Sequence, residues 1–269
     1  MLPTLLAALA GSSYVGAIYW SRSPEIKRRD RDDPRVIAHR IKRISAVCLV
    51  WLVLVPLTAP MSARSSVRSM GFIPGFTNNY SFTADVMGLL KAIRTIGALY
   101  LGTIFAYFYQ SKLDVAAFID DVYINFFTFQ GYRDHIFAPL TEEFVYRSVV
   151  LTYLAKSSPV VVYASPLLFG LAHLHHAWEV RRHHPKMPWT IVWAQAAFQL
   201  VYTTVFGMLS TYFFRKYHHN VWTCVALHFL CNLLQFPPAS VDGPLYANII
   251  YYVLSVWGFA RFVVLLRSA

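Results

Sequence analysis

Three polar clusters interrupt long apolar runs in this sequence, and their residue types are those that amide hydrolysis requires. The first is Thr141-Glu142-Glu143-Phe144-Val145-Tyr146-Arg147. On a helix, Glu143 and Arg147 are four apart and meet on one face, so they neutralise one another. Glu142 is turned by about 100° from Glu143 and lies off that face. It is therefore the carboxylate expected to be left without an ion pair of its own. A desolvated carboxylate binds a proton more tightly, as a general base for water requires. From this segment alone, a structural ion-pair cluster tying helices together accounts for the residues equally well.

The second cluster is Phe169-Gly170-Leu171-Ala172-His173-Leu174-His175-His176. His173 is the deepest of its three histidines in the apolar run. His175 and His176 are nearer the following loop and are expected at the interface. Gly170 and Ala172 allow another helix to approach closely. The third is His228-Phe229-Leu230-Cys231-Asn232. His228 and Asn232 are four apart and project from one helix face. They need a polar partner, which is either another helix or the oxygen of a bound substrate. Hydrolysis needs a water, a base, and donors for the developing oxyanion. Glu142 and His173 fit the first two roles, and His228 and Asn232 fit the third.

The elements that carry these residues follow from composition. The chain has 269 residues, 57% of them hydrophobic and only 14% charged. Soluble domains carry nearer a quarter charged residues. The apolar residues come in runs long enough to span a bilayer. Runs at 2–20, 44–57, 92–109, 136–155, 160–178, 191–214, 221–236 and 246–266 predict an all-α, polytopic transmembrane bundle of about eight helices. The first run has no basic segment before it, so a retained helix is expected rather than a cleaved signal. No internal repeat and no second domain is visible, which leaves one domain over 1–269 with a motif core at about 136–236. The stretches 22–43 and 61–80 read as loops, and 114–129 as interfacial.

The net charge is +11, from 24 Lys and Arg against 13 Asp and Glu. The positive residues gather between apolar runs, at 27–43 and at Arg181, Arg182 and Lys186, which is the positive-inside pattern. No nucleic-acid recognition motif accompanies them, so no nucleic-acid partner is expected. A cytoplasmic 22–43 loop puts the start of the fourth span and the end of the fifth on the cytoplasmic side. The three cysteines, Cys48, Cys224 and Cys231, lie in apolar segments and give no disulfide framework. H-E-x-x-H and G-x-S-x-G do not occur, and neither do paired intramembrane aspartates, a P-loop or a dinucleotide fingerprint.

With these residues in place, the chain resembles the type II CAAX prenyl endopeptidases. The likeness lies in E-E-x-x-x-R (Glu142, Glu143, Arg147), F-x-x-x-H (Phe169, His173) and H-x-x-x-N (His228, Asn232), in that order. Ala138-Pro139-Leu140-Thr141, Ser165 to Gly170 and Ser13-Tyr14-Val15-Gly16 resemble the eukaryotic branch, whereas about 61–134 carries no likeness that residue types alone make visible. The resemblance implies a protease of the endoplasmic reticulum membrane with its site toward the cytoplasm. It would remove the last three residues of farnesylated or geranylgeranylated CaaX proteins. It further implies that Glu142 and His173 activate water, that His228 and Asn232 form the oxyanion hole, and that Glu143, Arg147 and Phe169 support them. No cofactor and no metal is implied, and the oligomeric state is not addressed. Two other readings stay open on the residues. One is a zinc protease with Glu142, His173 and His228 as ligands; the other is a non-catalytic membrane scaffold. A cysteine mechanism through Cys231 lacks separate oxyanion donors.

Overall fold

The computed structural model describes residues 2–20 and 23–268. Arg22, where the expected basic loop begins, lies outside them, as do Met1 and Ala269 at the ends of the expected domain. Among the described residues every regular element is helical. In chain order the main helices are α1 (Leu2–Tyr19), α2 (Pro34–Thr58), α3 (Phe82–Leu99), α4 (Leu101–Gln110), α5 (Val115–Phe127) and α6 (129–153). They continue with α7 (Pro159–His183), α8 (Trp189–Lys216), α9 (Val221–Leu234) and α10 (Leu245–Arg267).

Five of these, α1, α2, α7, α8 and α10, are long and apolar enough to cross a bilayer. The pair α3 and α4 makes a sixth candidate, bent by 66° at Tyr100. The expected third span at 92–109 is therefore a broken one, because hydropathy reports apolar length and not direction. The remaining two expected spans are present as helix but fall short of that test. Two π-helical segments divide α6, and α9 has only 14 residues. Long apolar side chains such as Leu49, Val53 and Leu57 on α2, and Ile249, Val253 and Val256 on α10, are exposed. Side chains of this kind in apolar runs of spanning length belong against lipid rather than water.

Local signals explain two departures from the expected loops. α2 begins at Pro34, inside the basic stretch, because the Asp33 carboxylate accepts the Arg35 N–H at 2.8 Å. An N-cap Asp followed by Pro at the first helical position is a strong start signal. Arg35, Arg40, Lys42 and Arg43 therefore ride on a helix rather than in a loop. Within the expected 61–80 loop, Ala63–Met70 is helical, with Ser62 as its cap. Polar sequence hides it from hydropathy. It ends at Gly71, whose φ of 65° favours glycine. A Cβ there would collide with the His219 carbonyl.

By contacts the chain divides into two compact units. The first comprises Met1–Asp85 and Thr141–Cys224, the second Val86–Leu140 and Val225–Ala269. In the first, α1 packs on α2 and on the end of α6, and α7 packs on α8. The Tyr146 hydroxyl donates to the Gly11 carbonyl at 2.9 Å, and Trp51 Nε1 donates to Ser13 Oγ at 2.9 Å. Gly170 lets α7 approach α8 as its small size suggested, since a Cβ there would meet Thr204 Oγ1 and come within 3.0 Å of the Leu200 carbonyl. In the second unit, α4 lies along α10, with Gly102 against Ser255.

This contact gives a test of the packing. Gly170→Leu is expected to destabilise by about 1–3 kcal/mol through overpacking. Gly16→Ala, whose Cβ would meet nothing within 4 Å, should be neutral or slightly stabilising. Thermal denaturation of the detergent-solubilised protein distinguishes them; equal melting temperatures would mean that α7 and α8 are not in close contact.

Candidate active site

The first polar cluster is organised by one buried ion pair. Arg147 Nε lies 3.0 Å from Glu143 Oε2, and both side chains are almost wholly inaccessible, 1% and 0% exposed. Ser210 of α8 sits between them: its hydroxyl donates to Glu143 Oε2 at 2.6 Å and accepts from Arg147 Nε at 3.0 Å. The guanidinium also stacks over Phe169, 4.7 Å from the ring centroid, and lies 5.9 Å from Phe206. Two full charges are thus held by each other, a hydroxyl and aromatic faces, which is what retention of ions in an apolar interior demands. Glu143, Arg147 and Phe169 are brought together here with Ser210. Sequence reading passed over Ser210, because a small uncharged residue in an apolar helix carries no signal by itself.

Glu142 leaves the helix on another side. It is partly buried, and its charge acts on the phenols of Tyr14 and Tyr146. Next to it, the Thr141 and Tyr14 hydroxyls are 3.0 Å apart, so α1 closes over this turn. Beyond Glu143 the backbone winds as a π-helix through Phe144–Val149, and the Val150 N–H reaches back to Val145. Such segments are rare and concentrate at functional sites.

His173 stands where α7 breaks. The stretch Pro166–Ala172 ends at His173, and a new helical stretch starts at His175. His173 Nδ1 donates to the Phe169 carbonyl at 2.8 Å. That bond assigns the proton to Nδ1 and leaves Nε2 as the basic nitrogen. The Phe169 ring packs edge-on against the imidazole at 4.7 Å. Phe169 therefore touches both the buried guanidinium and His173.

His228 and Asn232 belong to the second unit. His228 is buried, and Phe229 beside it stacks on Phe126 at 5.9 Å. Asn232 Nδ2 donates to the Asp134 carbonyl at 2.8 Å. The availability of that carbonyl has a structural cause. Arg133–Phe137 is π-helical, so the Ala138 N–H bonds to Arg133 rather than to Asp134. The residue five positions after Asp134 is Pro139, which has no N–H to give. The helix leaves the carbonyl over, and Asn232 takes it. Asp134 was not singled out in the sequence, since the group that acts is main chain and residue type says nothing of it.

A family model described as type II CAAX prenyl endopeptidase Rce1-like matches residues 124–234. CAAX prenyl protease 2 of Saccharomyces cerevisiae is 32% identical over 248 residues, covering 85% of this chain and 78% of that protein. The chain belongs to this family. The human CAAX prenyl protease 2 is 30% identical over 242 residues, covering 86% of this chain and 70% of that protein. No solved structure matches. As an Rce1-like endopeptidase the protein is a hydrolase of peptide bonds and a multi-pass membrane protein. The family match contains all three motifs and begins at 124, earlier than the motif core read from the sequence, so that it includes Asp134.

The ion pair makes a sharp prediction about stability. Removing one partner leaves the other charge buried alone, so Arg147→Met or Glu143→Leu should each cost about 3–5 kcal/mol. The double variant Glu143→Leu/Arg147→Met should recover most of that loss. Thermal denaturation of the three proteins reads the coupling; additive losses would show that the two charges do not compensate each other.

Proposed function

We propose that the protein cleaves prenylated CaaX proteins after the modified cysteine, releasing the aaX tripeptide. The likeness to CAAX prenyl protease 2 over most of the chain is the observation that carries this reading. A farnesyl or geranylgeranyl chain partitions into lipid, which suits an enzyme made of apolar helices. We place the enzyme in the endoplasmic reticulum membrane with its site toward the cytoplasm, and treat 1–269 as one catalytic domain. The basic residues between the spans, which fit the positive-inside rule, support that orientation.

In the proposed reaction Glu142 takes a proton from water while His173, through Nε2, helps to hold and polarise it. The oxygen attacks the carbonyl of the prenylcysteine and the carbonyl oxygen becomes an oxyanion. His228 and Asn232 donate hydrogen bonds to it. An amide nitrogen carries two hydrogens. Asn232 spends one on Asp134, which fixes the amide plane and points the nitrogen rather than the oxygen toward its task. Collapse of the intermediate breaks the C–N bond, and the proton held by Glu142 passes to the leaving amine. The products are a prenylcysteine carboxylate and a free tripeptide.

Purified protein should release the tripeptide from a farnesylated CaaX peptide, and do so in the presence of a chelator. Glu142→Gln and His173→Ala are each expected to lower kcat by about 10²–10⁴-fold, the usual contribution of acid–base groups. Asn232→Ala should lower it by about 10²–10³-fold. Loss of activity with chelator, restored by zinc and accompanied by loss of zinc binding in Glu142→Ala, would instead make Glu142, His173 and His228 metal ligands. No cleavage by a folded wild type across prenyl groups and aaX sequences would favour the scaffold. Pro139→Ala tests the positioning of Asn232. It restores an N–H that competes for the Asp134 carbonyl, so kcat should fall about tenfold or more while the melting temperature holds or rises, proline being the poorer helix residue. Unchanged kcat would mean that this carbonyl does not orient Asn232.

A further inference from the structure

A second group of ligand-type side chains lies past the break in α7. One nitrogen from each of His175 and His176 and one carboxylate oxygen of Glu179 all lie within 4.8 Å of one another. His175 and Glu179 already have the outer partner that orients a metal ligand. His175 Nδ1 donates to the Ala172 carbonyl at 2.6 Å, which leaves Nε2 to coordinate. That Nε2 is buried and has no hydrogen-bond partner. Glu179 Oε1 accepts from Arg40 at 2.8 Å and from the Tyr19 hydroxyl at 3.3 Å. Its other oxygen, Oε2, is turned to His176 Nδ1 at 3.3 Å.

A carbonyl-oriented histidine, a second imidazole and a carboxylate anchored by its far oxygen form an N,N,O donor set, with a supporting shell on two of its three members. Donors around a tetrahedral zinc at about 2.1 Å lie about 3.4 Å apart, so small side-chain rotations close the group. The fourth position opens on a cleft of about 710 Å³ that Asp30, Asp32 and His183 also line. A water entering from that cleft would complete the sphere, and Asp30 and Asp32 bring two carboxylates to its wall beside Arg31 and His184.

We propose that His175, His176 and Glu179 bind one divalent transition-metal ion, with zinc the best match to two imidazoles and a carboxylate. The ion pins the α7 break to α1 and α2 through the Tyr19 and Arg40 contacts of Glu179. Its role is structural and does not rest on the proposed reaction. Zn2+ and Co2+ are titrated into the metal-stripped, detergent-solubilised protein. Calorimetry gives stoichiometry and affinity, visible absorption of Co2+ gives geometry, and melting temperature gives linkage. Wild type is expected to bind one ion, to show the intense tetrahedral Co2+ bands, and to melt higher with zinc. His176→Ala and His175→Gln, both still folded by their melting curves, should each bind at least tenfold more weakly and lose the thermal shift. Glu142→Ala should bind like wild type. The proposal is overturned if wild type binds no ion, if both histidine variants bind as wild type does, or if Glu142→Ala abolishes binding.

Discussion

The Glu143–Arg147 pair is the constraint on which the first unit turns. Two charges in an apolar interior persist only if each is neutralised and hydrogen-bonded. That demand selects Ser210 on α8 and the ring of Phe169 on α7 as neighbours. A single electrostatic requirement therefore fixes three helices against one another. Glu142 depends on it indirectly. Because Glu143 is committed to the guanidinium, the rotation per residue of the helix sends Glu142 elsewhere, toward Tyr14 and Tyr146. Phe169 passes the constraint on to His173, through both its ring and its carbonyl oxygen.

Much of this could be read from residue types. The pairing of Glu143 with Arg147 follows from a spacing of four, and the close approach at Gly170 from its missing side chain. The all-helical character and the approximate number of apolar segments follow from the length of the hydrophobic runs. Illegible were features that depend on backbone geometry. A hydropathy window cannot see the 66° bend between α3 and α4. It also cannot see that α6 changes its winding twice, because a wider turn leaves the composition unaltered. The polar Ala63–Met70 helix was missed for the opposite reason: caps, not apolar periodicity, define it.

The same distinction separates what was found at the site from what was missed. Charged residues in apolar runs announce themselves, so Glu142, Glu143, Arg147, His173 and His228 stood out at once. Ser210 and the Asp134 carbonyl do not, although each fixes one of those or its neighbour. The Glu179–Arg40 pair was overlooked because its members are 139 positions apart and each sits in a basic or loop-like stretch. Spacing rules reach only along one helix. Contacts between helices need the fold.

The π-helical segment Arg133–Phe137 follows a logic set by the apolar surroundings. In a hydrocarbon environment every main-chain polar group must find a partner inside the protein, because no water is there to accept it. An ordinary helix meets this demand by itself, and its carbonyls have only a second lone pair to offer a side chain, as Gly11 offers Tyr146. A π segment followed by proline breaks the one-to-one ladder and releases a carbonyl, which must then be satisfied by something else. At Asp134 that something is Asn232. The cost of an unpaired carbonyl, several kcal/mol in such a setting, is thereby turned into a force that holds one amide in one orientation. The orientation of Asn232 is consequently set by irregular backbone on the helix that carries the glutamates.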